Sequence, residues 1–248
     1  MSYPPSTSCG EIGKILHIIL NNVLTFKTNG IFVEIGANDG KTGSFTYNLA
    51  RIGWHGINIE PVPRIYSLCC ENHKHHNNVK NINIAIGSSQ CEVDILDAGT
   101  LSSVDKDTIE VYKNTPQFAS SIKNNNKIQK VKVDTLDNVL NENNISSIDL
   151  LVLDVEGYEE NVLKCFSIEK HNPIIFIIEI GDQHPDFVNN DIMMNKYKFL
   201  RDYFKNNNYT LLVNDIVDNV YIHNDIFKHL NKDFINGIKK IVRFPQFK

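Results

Sequence analysis

Ile31-Phe32-Val33-Glu34-Ile35-Gly36-Ala37-Asn38-Asp39-Gly40 is the stretch whose reading decides the fold of this chain. Its apolar half reads as a buried strand that runs straight into a glycine turn. A second strand, Gly56-Ile57-Asn58-Ile59, ends in an acid, Glu60, 24 positions after Gly36. Strand, glycine turn, helix, strand and terminal acid outline a nucleoside-binding βαβ unit. The chemistry of the turn says which nucleoside. A dinucleotide site needs backbone N–H groups closing on a pyrophosphate at a helix N-terminus. Here Glu34 and Asp39 set negative charge beside those phosphates, and the glycines do not follow G-x-G-x-x-G. S-adenosylmethionine (SAM) carries no phosphate but does carry a sulfonium and an ammonium, which acids favour. The turn predicts a SAM site.

Outward from this stretch the pattern keeps alternating. Apolar residues at helical spacing predict a helix over 11–26. After the strand at 31–35, a helix starts near Ser44, with Leu49 and Ile52 facing inward. A strand at 56–60 is broken by Pro61-Val62-Pro63, and a helix over 64–72 follows. Residues 79–86 read as a third strand and 91–96 as a short alternating one. The stretch 99–126 is the least regular: Leu101-Ser102-Ser103, a short charged helix, then Thr115-Pro116 and polar loop. A connection of that length suits a functional lid. A strand over 127–133 and a helix over 136–141 come next. The strand at 148–153 ends in Asp154-Val155-Glu156-Gly157, followed by a helix over 158–166. Pro173–Ile180 is apolar throughout, as a parallel strand buried on both faces is. A long helix over 190–206 precedes strands at 209–213 and 220–222 that form a closing hairpin. The whole reads as an α/β fold, a mostly parallel sheet with helices on both faces, in one domain of 1–248. Within it, 1–29 is an N-terminal helical segment, 30–215 the core and 216–248 a C-terminal strand and helix.

The bulk numbers suit that fold. The 248 residues are 42% hydrophobic and 22% charged, with net charge −4 and a pI near 6.1, enough for a full core and unsuited to broad capture of a polyanion. Lys239-Lys240-Ile241-Val242-Arg243 reads as a solvated terminal helix face. Five cysteines without C-x-x-C spacing suggest reduced thiols, and Cys69 and Cys70 fill core. No signal-peptide pattern opens the chain, and the most apolar run, Ile174 to Ile178, is too short to span a bilayer. The expected setting is soluble and cytoplasmic. Asparagine runs at 124–126 and 206–208 mark loops, and with abundant Ile and Lys they suggest an AT-rich genome, such as that of a parasite, a low-GC bacterium or a large DNA virus.

Three ordered motifs carry a family resemblance. Phe32 to Ser44, then Gly53-Trp54-His55-Gly56 with Ile59-Glu60-Pro61, then Val133-Asp134-Thr135-Leu136-Asp137 followed by Ile148 to Glu159, closely resemble FkbM-type SAM-dependent methyltransferases over about residues 30–215. The resemblance implies a class I SAM-methyltransferase Rossmann-like fold, seven-stranded and mostly parallel with the last strand antiparallel. It also implies O-methylation of hydroxyls on sugars, glycans or small natural products.

Each motif offers candidate residues. Gly36 and Gly40 let backbone approach the methionine part of SAM, and Glu34 and Asn38 serve its amino-acid end. Glu60, followed by Pro61, takes the ribose hydroxyls; its bland alternative is a surface acid. Ala85 and Ile86 flank adenine or are plain core. Asp154 and Glu156 stand where amino-methylating enzymes of this fold carry Asn/Asp-Pro-Pro-aromatic; acids there suit an alcohol that must lose its proton. Asp154 is the first candidate for base or orienter, and Glu179 and His184 are the second. Asp154, Glu179 and His184 offer an alternative divalent-metal set, although no metal is predicted. Ser103, with Ser102, lies in the lid near SAM or acceptor, or caps a helix. His73-Lys74-His75-His76 reads as a solvated helix end, and Trp54 as packing. The expected partner is a small-molecule or carbohydrate acceptor. RNA 2′-O-methylation is the runner-up, although no Lys-Asp-Lys-Glu set can be assembled; an inactive SAM-binding module is the third reading.

Overall fold

The computed structural model describes residues 1–125 and 127–242. In chain order the elements are α1 (Glu11–Val23), β1 (Ile31–Ile35), α2 (Tyr47–Arg51), β2 (His55–Ile59), α3 (Pro63–His73), β3 (Val79–Ile82), β4 (Ala85–Ile86) and β5 (Cys91–Asp97). A single 3-10 turn at Gly99–Leu101 leads to α4 (Lys106–Asn114), α5 (Pro116–Asn124), β6 (Lys127–Asp134) and α6 (Leu136–Glu142). The second half continues through β7 (Leu150–Leu153), α7 (Glu159–Lys164), α8 (Ile168–His171), β8 (Ile175–Glu179) and α9 (Asp191–Asn206). It closes with β9 (Tyr209–Asn214), β10 (Asp218–His223), α10 (Asn224–Phe227) and α11 (Lys232–Ile241).

Seven strands make one sheet in the order β3-β2-β1-β7-β8-β10-β9. All neighbours are parallel except β10, the last strand of the chain, which runs antiparallel to β8 and β9. The alternation along β7 explains the two faces. Leu150 and Val152 point to a core built with α1 and α11, and Leu151 and Leu153 point to one built with α6, α7 and α9. Both layers are apolar, so each central strand reads as a continuous apolar run. Trp54 is fully buried against Tyr3 and donates from its indole N–H to Lys27 O at 2.9 Å, the packing role expected of it.

Two expectations are corrected. The strand read over 79–86 is two strands in different sheets. β3 pairs with β2 as far as Ile82, whereas Ala85 pairs with Val133 in a second, three-stranded sheet ordered β4-β6-β5. Asn83 forces the break, donating its side-chain amide to Glu60 O at 2.8 Å and Pro61 O at 2.9 Å. The stretch read as an irregular lid is largely helical. Asp105 caps α4 by accepting from Thr108 N at 2.7 Å, Pro116 opens α5, and Val111, Tyr112 and Ile122 are buried beneath. Its Lys- and Asn-rich outer faces hid that inner stripe. The asparagine run at 206–208 does end a helix, with Asn208 at φ +70. Asn126 lies outside the described residues, as does Arg243; Lys239 and Lys240 are exposed on α11. No helix among the described residues is long and apolar enough to cross a membrane.

Candidate active site

Backbone contacts build the site before any side chain does. The carboxyl ends of β1, β2 and β7 meet because Gly36 N and Ala37 N donate to Ile59 O at 2.9 and 3.0 Å, and Asp154 N donates to Ile35 O at 3.0 Å. Gly36 has φ +80, and a Cβ there would stand 1.6 Å from Asp154 O. Only glycine allows this crossing.

A pocket opens along this edge. The loop Gly36-Ala37-Asn38 forms one wall. Glu60 and Pro61 stand at the end of β2, Ile84, Ala85 and Ile86 form an apolar wall, and Asp154, Val155 and Glu156 close the far end. Four carboxylates (Glu34, Glu60, Asp154 and Glu156) line the pocket, and no Lys, Arg or His does among the described residues. A phosphate-bearing ligand would be repelled there, while a cationic one would relieve the mutual repulsion of the acids.

Glu60 is 6% exposed, and burial pushes its carboxyl up to about 7. Its Oε2 accepts from Asn38 N at 3.0 Å and its Oε1 from Val62 N at 2.8 Å. Each carboxylate oxygen has a second acceptor direction, so these bonds fix the group while leaving it able to take a diol. Glu34 is also buried, but its work is local. It accepts from Ser44 Oγ, Phe45 N and Thr46 Oγ1 at 2.8, 3.0 and 2.6 Å, which ties residues 44–46 to β1. Burial raises its carboxyl above the usual range in spite of those donors.

The far end of the pocket is a carboxylate cluster. Asp154, Glu156 and Glu179 bring side-chain oxygens within 4.8 Å of one another. Burial holds Asp154 up to about 6, opposed by the neighbouring Glu179 and the backbone of Glu156. Glu179 is raised well above the ordinary range by burial and then by the charges of Glu156 and Asp154. Glu156 is raised by burial and by Asp154, and Glu159 by burial, to about 7. Close acids are common without a cation, and nothing else among the described residues points to one.

The structure separates the candidate residues into two groups. Glu34, Gly36, Asn38, Glu60, Pro61, Ala85, Ile86 and Asp154 all line the pocket. Glu179 lies behind it, against Asp154. Gly40, at φ +68, packs instead against α3, where a Cβ would meet Cys69 Sγ at 2.6 Å. Asp39 is occupied in its own turn, accepting from Lys41 N and Thr42 N at 2.9 and 2.6 Å. Ser103 is 1% exposed and turns away from the pocket to donate to Glu156 O at 2.7 Å; its neighbour Ser102 and Thr100 face the pocket. His184 stacks on Phe187 with ring centroids 4.7 Å apart, outside the pocket lining, so the set Asp154, Glu179 and His184 is not assembled. The histidine run is a helix end solvated at Lys74 and His75 but not at His73. His73 is 3% exposed, with Nε2 2.7 Å from Gly40 O and Nδ1 3.0 Å from His76 Nδ1, and burial lowers its basicity. The loop over α3 needed such an anchor, which the surrounding polar sequence masked. Sequence reasoning grouped Glu156 with Asp154 as acids suited to an alcohol acceptor, and it missed Tyr112, whose OH donates to Glu156 Oε2 at 2.7 Å. A tyrosine on a charged helix 44 residues away carries no local signal.

The sequence pattern of the methyltransferase FkbM domain matches residues 34–211. No curated protein matches the chain. Among solved structures, the O-methyltransferase from Bacillus cereus in complex with SAH is similar with a TM-score of 0.47, 13% identity, and coverage of 89% of this chain and 83% of that one. The O-methyltransferase TomG from Streptomyces achromogenes, involved in tomaymycin synthesis and in complex with SAM, gives 0.47, 8%, 84% and 78%. The fibrillarin pre-rRNA processing protein of Methanococcus jannaschii gives 0.43, 15%, 90% and 77%.

Proposed function

The chain belongs to the methyltransferase FkbM domain family, and from that premise we propose that it moves the methyl group of SAM to a hydroxyl of a sugar, glycan or other small acceptor. One observation carries this reading: the pocket is lined by four carboxylates and by no basic residue among those described. Glu60 takes the ribose diol, Ile84, Ala85 and Ile86 cover adenine, and the Gly36-Ala37-Asn38 loop receives the methionine end. The sulfonium then lies toward Asp154 and Glu156. SAM is a reactive donor, so much of the acceleration is expected from holding the acceptor oxygen in line with the methyl group. The acids at the end of β7 orient that oxygen and remove its proton, which adds about 10²- to 10⁴-fold.

The same charge pattern favours a neutral, hydroxyl-rich acceptor over RNA, whose phosphates would meet the acids at the mouth of the pocket. Calorimetry with SAM tests the first half, and absence of binding heat would end it. The second half is read by mass spectrometry after incubation with SAM and a panel of monosaccharides, nucleotide sugars and short RNAs. Methylation of RNA alone would overturn the acceptor class. Asp154→Asn should lower turnover far more than SAM affinity.

A further inference from the structure

The loop after β7 is held in a backbone conformation that side chains with a Cβ avoid. Glu156 sits at φ +53, followed by Gly157 at φ +90. Its neighbours over-determine it. Ser103 Oγ donates to Glu156 O at 2.7 Å, and Glu159 Oε1 accepts from Val155 N and Gly157 N at 2.9 and 3.3 Å. From α9, Lys196 Nζ donates to Gly157 O at 3.2 Å. Thr108 of α4 fills the space above Gly157, where a Cβ would lie 2.1 Å from its Oγ1. All of this constraint fixes the position of one side chain. The Glu156 carboxylate lines the pocket, with Oε2 accepting from Tyr112 OH at 2.7 Å and Oε1 without a hydrogen-bond partner among the described residues.

We infer that Glu156 is the residue that takes the acceptor's proton and that Tyr112 is the positioning residue that aims it; this rests on the methyl-transfer reading above. As the acceptor oxygen forms its bond to the methyl carbon, the S–CH3 bond breaks and its electron pair stays on sulfur. The hydroxyl proton passes to Glu156 Oε1, and S-adenosylhomocysteine leaves as a neutral thioether. Asp154 is less suited to this role, because among the described residues no side chain holds its carboxyl in place, whereas Tyr112 fixes that of Glu156. Burial, and then the charges of the neighbouring acids, hold the Tyr112 phenol far above its ordinary range, so it donates at every working pH. Besides Tyr112 of α4, the titratable groups facing Glu156 are Asp154 at the end of β7, Glu179 of β8, Glu159 of α7 and Tyr197 of α9. They disfavour its charge until a cationic cofactor enters.

Glu156→Gln keeps the shape and removes one like charge. Turnover on the acceptor panel should fall by about 10²- to 10⁴-fold. SAM affinity by calorimetry should weaken far less than turnover, because the other three carboxylates of the pocket remain to meet the cation. The Tm at pH 8 should rise by about 2–4 °C, since a group kept for function works against stability. Tyr112→Phe should cost about tenfold in turnover, the scale of one hydrogen bond to a charged group. It should also move the acid limb of the kcat/KM profile to higher pH, because the phenol favours the charged carboxylate. Wild-type turnover in Glu156→Gln, or a lowered Tm in that variant, overturns the assignment. If no acceptor in the panel reacts, the Tm change decides alone. A wild-type protein that binds no SAM sinks the parent reading, whereas SAM binding with intact turnover in Glu156→Gln sinks only this one.

Discussion

Gly36 and Asp154 meet where the chain leaves the ends of β1 and β7. The first must bend left-handed so that the carbonyl of the second can pass where a Cβ would be, at 1.6 Å. Gly36→Ala therefore has to displace the end of β7 as well as accept a disfavoured φ. A loss of about 3 kcal/mol in stability is expected, together with loss of SAM binding, read by denaturant unfolding and calorimetry. An alanine variant that binds SAM normally would show that the loop tolerates another path. At this scale the sequence was informative where glycine and acid alternate at a strand end, since few other arrangements use them. It assigned Gly40 to the cofactor alongside Gly36, although there the same glycine signal serves contact with α3, because a positive φ is required in both settings.

The element that matters most for chemistry is α4. Its N-terminal turn packs on Gly157, its Tyr112 holds Glu156, and Lys196 of α9 joins both through Asp105 at 2.5 Å and Gly157 O at 3.2 Å. Gly157→Ala drives a methyl group into Thr108 and should lift the helix from the loop. Amide exchange in α4 is expected to quicken by about tenfold or more, the mark of a local opening made easier by roughly 1.4 kcal/mol, while α1 is unaffected. Unchanged exchange in α4 would dissociate this helix from the loop. The strands were legible because Leu150 to Leu153 and Ile175 to Ile178 are apolar on both faces. The insert was not, because its buried stripe of Val111, Tyr112 and Ile122 is thin beneath a polar surface.

Across the whole molecule, charge is the organising strain. Burial raises Asp154 to about 6 and Glu60 and Glu159 to about 7, against ordinary values of 3.8 and 4.5. A carboxyl raised on folding contributes stability that is present below its unfolded pKa and lost as pH rises through the folded one. His73, held below the usual histidine range, works in the opposite sense, but three acids outweigh it. The ligand-free Tm should therefore fall between about pH 4 and 7, by about 5 °C or more. SAM, by bringing positive charge, should flatten that fall and release protons on binding. Calorimetry in buffers of different ionisation enthalpy measures the release, and proton uptake would contradict the charge argument.

The chain's own sequence determined the alternation of strand and helix, the glycine turn after β1, the acid closing β2 and the acids closing β7. These follow from local rules: backbone freedom at glycine, apolar periodicity and the position of a residue at a strand end. Tertiary structure alone decided that residues 79–86 divide between two sheets, that Ser103 and His73 are buried supports, and that His184 stands apart from the pocket. It also decided that a tyrosine from α4 meets Glu156. Those outcomes depend on which surfaces pack together across many residues of chain, and a local pattern carries no information about a neighbour that only folding supplies.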